Sequence, residues 1–338
     1  MSGIVMMIIA IVVLGGAYLL YGRYLQNKWG IDPKAKTPAY EMEDGVDYVP
    51  ADTNVVFGHQ FASIAGAGPI NGPIQAAIFG WLPVMLWILI GGVFFGAVQD
   101  FASMYASVKN KGRTIGYIIE AYIGKLGKKL FLLFCWLFCI LVVAAFADVV
   151  AGTFNGFVTD NAGTVTRVAA NGAVATTSML FIIEAVGLGF FLKYSKFNKW
   201  INTAVAILLL VLAIALGLKF PVYVSLGTWH IIIFAYILVA SVAPVWALLQ
   251  PRDYLNSYLL IFMIVGAVIG VFAANPSCNL KAFTSFNVDG QYMFPILFVT
   301  IACGAVSGFH SLVSSGTASK QIKNEKNMLP VSFGAMLM

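Results

Sequence analysis

The stretch FGHQFASIAGAGPINGP, from Phe57 to Pro73, interrupts a hydrophobic segment with four glycines and two prolines. Both residue types are unfavourable inside a helix. An unpaired backbone group is costly in hydrocarbon, so a break at membrane depth is tolerated only inside protein or beside a water-filled cavity. Secondary transporters place such breaks at their binding sites. The sequence therefore predicts a broken transmembrane helix over Val55–Trp81, with its break at Gly66–Pro73.

The composition of the whole chain is that of a polytopic membrane protein. Of its 338 residues, 60% are hydrophobic and 10% are charged, whereas soluble domains carry roughly 25% charged residues. A helix needs about 20 mostly apolar residues to cross the bilayer core. The sequence predicts an all-α membrane protein with about nine spans. These are Ile4–Tyr21, Val55–Trp81, Leu82–Val108, Leu130–Val158, Thr176–Leu192, Ile201–Leu218, Trp229–Leu249, Ser257–Ala274 and Phe294–Gly316.

The order of the spans indicates two inverted repeats. Pro244 removes a backbone donor in the middle of Trp229–Leu249, five helices after the first break and in a span of opposite direction. Inverted repeats of five helices produce this spacing. We expect a leading transmembrane helix (residues 1–21), a cytoplasmic loop (22–53), a first five-helix repeat (54–218) and a second repeat (229–338). The leading helix is expected to be retained, because it lacks the basic start and small-residue cleavage site of a signal peptide.

The second repeat is expected to be incomplete. The segment Gly334–Met338 opens another apolar span and then stops, so the repeat would lack its last two helices. We therefore expect a fragment of a longer transporter, or a chain that completes itself with a complementary fragment or in an oligomer. Residues 1–338 alone are not expected to form a working carrier.

The distribution of basic residues predicts the orientation. Lys and Arg accumulate in cytoplasmic loops. With the N-terminus outside, all but three of the 20 basic residues fall in inside loops, and the exceptions are Arg167, Lys219 and Lys281. The net charge of +6 is thus a topology signal. A nucleic-acid partner is not expected, because no segment is long and soluble enough to form a basic domain.

The break at Gly66–Pro73 is the candidate substrate site. Proline is favoured at the first helical position, so a second half-helix is expected to start after Pro73 and to point its free amides at an anionic group. The alternative is a packing seam, because small residues also let helices approach closely. The predicted substrate-binding residues are Gly66, Gly68, Pro69, Asn71, Gly72, Pro73 and Pro244.

Ion coupling is predicted from ionisable and hydroxyl side chains within the spans. The hydroxyl-rich segment Val299–Thr317 suits Na⁺, and Ser314 and Ser315 are the candidate ligands. In the alternative, His310 in the same segment carries a proton. The alternatives are hydroxyls that bond to their own helix and a histidine that only packs. For Asp148 and Glu184 a buried protonated or paired carboxylate is as compatible with the sequence as a transported-proton site. Asp253 is expected to pair with Arg252. The predicted ion-coupling residues are His59, Asp100, Asp148, Ser307, His310, Ser314 and Ser315.

The chain lacks the motifs of common enzymes. There is no HExxH, no GxSxG and no Walker-type GxxxxGK[ST], so zinc hydrolysis, serine hydrolysis and nucleotide-driven pumping lack their chemistry. We expect no catalytic residue and no cofactor.

Four blocks carry a resemblance to a known family: FGHQFASIAGAGPINGP, GAVQDF (Gly96–Phe101), PRDYL (Pro251–Leu255) and VTIACGAVSGFHSLVSSGT (Val299–Thr317). With them the chain resembles the carbon starvation protein A family from its first span to its C-terminus. The resemblance implies a transporter of the bacterial cytoplasmic membrane, associated with peptide uptake in some members and with proton-coupled pyruvate uptake in others. Gln60 departs from the family, because relatives often carry a second histidine after His59. A paired-histidine relay at that position is therefore weakened.

We expect an ion-coupled secondary transporter that imports peptides during carbon starvation. A proton-coupled symporter of pyruvate or another small monocarboxylate is the alternative, because both substrates present a carboxylate to a half-helix. A membrane nutrient sensor is a further alternative, although it predicts a soluble output module that the sequence does not contain. A channel would need a pore ring in place of one enclosed site.

Overall fold

The computed structural model of the chain describes residues 2–159, 164–194, 199–243 and 248–338, and it is mostly helical. Short antiparallel pairs join β1 (Phe157–Thr159) to β2 (Val165–Arg167) and β3 (Asn287–Val288) to β4 (Gln291–Tyr292). The helices are α1 (Gly3–Gly16), α2 (Arg23–Lys28), α3 (Pro38–Glu41), α4 (Thr53–Ile64), α5 (Ala67–Ala76), α6 (Trp81–Gly91), α7 (Val98–Lys109), α8 (Ile115–Ile123), α9 (Lys125–Phe154), α10 (Ala169–Tyr194), α11 (Lys199–Lys219), α12 (Leu226–Val242), α13 (Leu249–Ala274), α14 (Met293–Ala305), α15 (Gly308–Gly316) and α16 (Ala335–Leu337).

Seven helices among the described residues are long and apolar enough to cross a membrane. Two of them contain a turn of π-helix: Ala17–Gly22 joins α1 to α2, and Gly92–Ala97 joins α6 to α7. The two predicted spans outside the seven are the one formed by α4 and α5, which is broken, and the one formed by α12, which has 17 residues. The count of nine spans therefore stays a prediction.

The helix break near the predicted substrate site differs from the prediction. Helix α4 ends at Ile64, Gly66 is extended with φ −88° and ψ −167°, and α5 already begins at Ala67. Pro69 lies in the first turn of α5, where its missing amide costs nothing because that amide would have no partner inside the helix. Pro73 lies inside α5 and does not start it. The half-helix that was expected to begin at Ile74, after Pro73, thus begins seven residues earlier.

A second break interrupts the span that was predicted as Phe294–Gly316. Helix α14 ends at Ala305, Val306 has a non-helical φ of −150°, and α15 begins at Gly308. The Ser307 side chain caps α15 by accepting a hydrogen bond of 3.2 Å from the Phe309 amide. The break predicted around Pro244 cannot be compared in the same way, because Pro244 lies outside the described residues, between the end of α12 at Val242 and the start of α13 at Leu249.

The chain forms two compact units. The first, Met1–Ile118 with Asn256–Met338, contains both helix breaks and the larger cluster of buried apolar side chains, with Phe101 and Phe333 at its centre. In the second, Ile119–Leu255, α9 packs against α12 and α10 packs against α11. The division into a leading helix and two inverted repeats stays a prediction.

Candidate functional site

An aspartate and a histidine form a buried pair in the first unit. Asp100 on α7 and His310 on α15 are 0% and 1% exposed, and His310 Nδ1 lies 2.6 Å from Asp100 Oδ1 and 2.7 Å from Oδ2. Carboxylates and imidazoles are rarely buried without a partner, and inside a membrane span they mark proton or ion sites. Two of the predicted ion-coupling residues are therefore in direct contact.

A third helix reaches the same pair through Gln60 of α4. Gln60 Nε2 donates to Asp100 Oδ2 at 3.4 Å and to the His310 carbonyl at 3.2 Å, and the residue is fully buried. Both partners accept hydrogen bonds, and this fixes which end of the carboxamide faces them. In the part of the chain that the structure describes, Gln60 Oε1 and His310 Nε2 are buried without a hydrogen-bond partner. Residues 60, 100 and 310 thus form one polar cluster where three helices meet.

The hydroxyl groups around this cluster bond to helix carbonyls. Ser314 Oγ and Ser103 Oγ each donate to the Asp100 carbonyl at 3.0 Å, and Ser315 Oγ donates to Leu312 O on its own helix at 3.3 Å. Ser103 and Ser315 thus bond to their own helices, as the back-bonding alternative predicts, whereas Ser314 of α15 bonds across to α7. A sodium site at Ser314 and Ser315 stays a prediction.

The π-helical turn before Asp100 allows a close approach of α14. A Cβ on Gly96 would overlap the Ala305 carbonyl oxygen and would lie 2.6 Å from Met336 Cε. Glycine is therefore required where the end of α14 meets this turn. Turns of π-helix occur frequently at functional sites, and this one ends three residues before Asp100.

Glycines also bring α5 against α14. A Cβ on Gly68 would overlap Cys303 Sγ and lie 2.6 Å from Cys303 Cβ, and one on Gly72 would lie 2.5 Å from the Thr300 carbonyl oxygen. These two glycines thus form the packing seam that was the alternative to a binding role. Gly66 differs, because nothing lies within 4 Å of a Cβ built there.

A cavity of about 280 Å³ adjoins the α4–α5 break. Gly66, Pro69 and Pro73 line it together with Ile301 and Gly304 of α14, and its remaining lining is also uncharged. The exposed Asn71 is not among the lining residues. The predicted substrate residues are thus divided between an open break, a packing seam and a cavity wall.

Beyond Asp100 along α7, an ion pair and an aromatic stack join this helix to other segments of the first unit. Lys109 Nζ lies 2.8 Å from Glu325 Oε1, and Glu325 Oε2 accepts a hydrogen bond of 2.9 Å from the Asp32 amide. Trp29 stacks on Phe101, the neighbour of Asp100, with ring centroids 4.8 Å apart. These contacts lie beyond the pair in the direction of the end of α7.

The other predicted ionisable residues are His59 on α4, next to Gln60, Asp148 on α9 and Glu184 on α10. His59 lies on α4 and is 6% exposed. Its neighbour Gln60 is the residue that donates a hydrogen bond to Asp100. In the second unit, Asp148 Oδ1 lies 3.1 Å from His230 Nε2, and their side chains are 77% and 41% exposed. Glu184 on α10 is half-buried.

The expected Arg252–Asp253 ion pair is confirmed. Arg252 Nη2 lies 2.8 Å from Asp253 Oδ1, near the start of α13. Arg252 Nη1 also donates to the Tyr236 hydroxyl at 3.1 Å.

The sequence did not point to Gln60 as a partner of Asp100 or to His230 as a partner of Asp148. Gln60 was noted only as a departure from the family, and its role depends on long-range contacts with α7 and α15. His230 had one available signal, because the chain has only three histidines and two acids within the spans lacked an assigned partner.

Comparison with known proteins places the chain in a family. The model of the family "Carbon starvation protein CstA" matches residues 2–338. The peptide transporter CstA of Escherichia coli is 38% identical over 95% of the chain and 46% of the relative, and that of Bacillus subtilis is 36% identical over 100% and 56%. The pyruvate/proton symporter BtsT of E. coli is 37% identical over 95% and 45%.

The chain thus spans about half the length of these curated relatives. No solved structure matches it significantly. The family model covers residues 2–338, a range that includes the Asp100–His310 pair and both helix breaks. The chain belongs to the carbon starvation protein CstA family.

Proposed function

We propose that the chain is part of a secondary transporter that imports peptides and couples their uptake to protons. Relatives that match nearly the whole chain are named peptide transporters, and one is named a pyruvate/proton symporter. The membrane-length helices and the broken helices α4–α5 and α14–α15 fit a carrier. A catalytic role is not part of the proposal.

The observation that carries proton coupling is the buried Asp100–His310 pair. His310 Nδ1 and Asp100 Oδ1 are 2.6 Å apart, and both side chains are buried away from solvent. An interaction between charges is several-fold stronger there than in water. Binding or release of a proton therefore changes the free energy of the contact between α7 and α15, and such a change is what proton coupling needs.

The substrate is proposed to bind at the α4–α5 break. The break begins at Ala65, just over one helical turn after Gln60 of the polar cluster. The proposed proton site and the proposed substrate site are therefore close along one helix. The amides of Ala67 and Gly68 begin α5, and a carboxylate is favoured at such a helix start. A free peptide and a monocarboxylate such as pyruvate both supply this group.

A pyruvate/proton symporter is the second candidate. The observation that favours it is the relative BtsT, whose identity to the chain is nearly the same as that of the peptide transporters. The cavity of about 280 Å³ beside the break does not separate the two substrates.

The proposal includes an orientation and an assembly. The N-terminus is placed outside the cytoplasmic membrane, with the Lys109–Glu325 contact on the cytoplasmic side. Two inverted repeats surround the site, with residues 54–218 in the first and residues from 229 in the second. Residues 1–338 are proposed to work with a complementary segment or a second copy.

Counterflow in proteoliposomes tests the class of protein and the substrate. The complete gene product is reconstituted with unlabelled dipeptide or pyruvate inside, and entry of the labelled compound is followed. A carrier exchanges label for the internal substrate, whereas a channel or a sensor does not. Exchange of dipeptide but not of pyruvate is expected, and the reverse result would favour the second candidate.

Ionophores that collapse the proton gradient or the sodium gradient separately test the coupling ion. Loss of uptake with the proton gradient alone is the expected result. Loss with the sodium gradient alone would favour the hydroxyl site at Ser314 and Ser315. Uptake that is insensitive to both treatments would contradict ion coupling.

A further inference from the structure

Gln60 carries a polar carboxamide at a buried position that an apolar side chain could fill. Its side chain is fully buried, and its Oε1 has no partner among the described residues. Leaving a buried amide oxygen unpaired costs free energy, which an apolar side chain of similar volume would avoid. A buried polar group of this kind calls for an explanation.

The carboxamide joins two broken helices close to their breaks. Gln60 lies four residues before the end of α4 at Ile64, and His310 lies two residues after the start of α15 at Gly308. Gln60 Nε2 reaches the His310 carbonyl at 3.2 Å and Asp100 Oδ2 of α7 at 3.4 Å. One amide group therefore connects the segments beside both breaks to the protonatable carboxylate.

The two hydrogen bonds of Gln60 respond differently to protonation. The bond to Asp100 is charge-assisted while the carboxylate is ionised, and such bonds are roughly twice as strong as neutral ones. The bond to the His310 carbonyl stays a neutral one in both states. Protonation therefore loosens the link from α4 to α7 while the link from α4 to α15 remains. A contact whose strength differs between two states shifts the balance between conformations.

We infer that Gln60 is the positioning residue that transmits protonation of the Asp100–His310 pair to the substrate break of α4 and α5. The inference rests on the proposed proton-coupled function. It assigns Gln60 no contact with substrate and no proton of its own. Its loss is expected to separate substrate movement from proton movement and to leave substrate exchange in place.

The test uses Gln60→Leu and Gln60→Met, which keep the volume and remove the donor. The control is Ser63→Ala on the same helix, because Ser63 Oγ donates only to the Gln60 carbonyl at 2.7 Å among its described contacts. Two readouts are compared in proteoliposomes with the complete gene product. They are counterflow of labelled dipeptide, and protons moved per dipeptide, measured with an internal pH dye.

Both Gln60 variants are expected to keep counterflow and to move about tenfold fewer protons per dipeptide, since a hydrogen bond to a charged group is generally worth this factor. Ser63→Ala should match the wild type in both readouts. A wild-type proton ratio in the Gln60 variants would overturn the inference and leave proton coupling intact. Loss of counterflow in both variants at normal membrane levels would also overturn it, because Gln60 would then serve translocation itself. A wild-type protein that moves no protons with dipeptide would refute the proposed function instead.

Discussion

Two aspartate–histidine pairs in this chain have the same chemistry and different surroundings. Asp100 and His310 are 2.6 Å apart and at most 1% exposed, whereas Asp148 and His230 are 3.1 Å apart and 77% and 41% exposed. The first pair is also held by Gln60, and it lies between helices that are broken close by. The two pairs consist of the same residue types and differ in how deeply they are buried.

The difference in burial has a physical consequence. Asp148 and His230 lie at the surface of α9 and α12, so few protein contacts depend on their pairing. Breaking a buried pair costs about 3–5 kcal/mol, because the remaining group is left without a partner. In the proposed function, protonation of the buried pair therefore changes the contact between α7 and α15, while protonation of the surface pair changes few protein contacts. We accordingly assign the coupling proton to Asp100 and His310.

The largest expected effect comes from Asp100→Asn compared with Asp148→Asn. The first substitution removes the buried titratable carboxylate and should reduce accumulation driven by a pH gradient to the level of empty liposomes. The second removes a carboxylate at the surface of α9, outside the polar cluster, and should change accumulation less than about fivefold. Accumulation of labelled dipeptide in proteoliposomes measures both. Counterflow and thermal melting in detergent serve as controls for folding, and equal effects of the two substitutions would contradict the comparison.

His310→Asn should have the next largest effect, because it separates hydrogen bonding from titration. The Asn amide places a donor near the position of His310 Nδ1 and keeps a bond to Asp100, but it does not bind a proton. Wild-type uptake is expected to rise as the external pH falls, and the variant should lose most of this dependence. Initial uptake rates between pH 5 and pH 8 measure it. A variant that keeps the wild-type pH profile would show that His310 is not part of the proton site.

Packing between α5 and α14 gives the third prediction. Gly68→Ala places a Cβ on Cys303 and should destabilise the protein by about 1–3 kcal/mol, while Gly66→Ala has open space and should be neutral. Cys303→Gly removes both overlapping atoms, so it should recover much of the loss when combined with Gly68→Ala. Melting temperatures of the wild type, Gly68→Ala, Cys303→Gly and the double variant, analysed as a double-mutant cycle, measure the coupling. Equal stability of the Gly66 and Gly68 variants would contradict the seam.

The smallest effect is expected from His230→Gln in the exposed pair. Glutamine keeps a hydrogen-bonding group near Asp148 and removes the titration. Stability should change by less than about 1 kcal/mol, and the pH profile of uptake should match that of the wild type. A shifted pH profile would mean that the exposed pair also takes part in coupling, and the division between the two pairs would then be wrong.

Much of the fold follows from the composition of the chain. The apolar windows predict most of the long helices, because a membrane span must satisfy its backbone within one helix. The existence of a break before Ile74 was also predictable from its glycines and prolines. Its position was not, because Pro69 and Pro73 are tolerated inside α5, which begins at Ala67. The second break at Val306 has no proline, and its only local signals were glycines and hydroxyls.

The candidate site was predicted in its parts but not in its arrangement. Asp100 and His310 stood out as ionisable groups in apolar segments, although 210 residues separate them along the chain. Their pairing depends on the packing of α7 against α15, which no local pattern encodes. Gln60 was missed for the same reason. Asp148 and Asp100 were both predicted to couple ions, because the sequence does not show exposure. Exposure depends on the neighbours in the folded protein and not on the residue type.

The most direct test of the account is the proton flux that accompanies substrate entry. Proteoliposomes that contain the complete gene product and an internal pH dye receive external dipeptide without an imposed gradient. The account predicts acidification of the interior with wild-type protein and with Asp148→Asn, and none with Asp100→Asn, although Asp100→Asn still exchanges labelled dipeptide. Acidification by Asp100→Asn at the wild-type ratio of protons to dipeptide would contradict the assignment of the coupling proton to the buried pair.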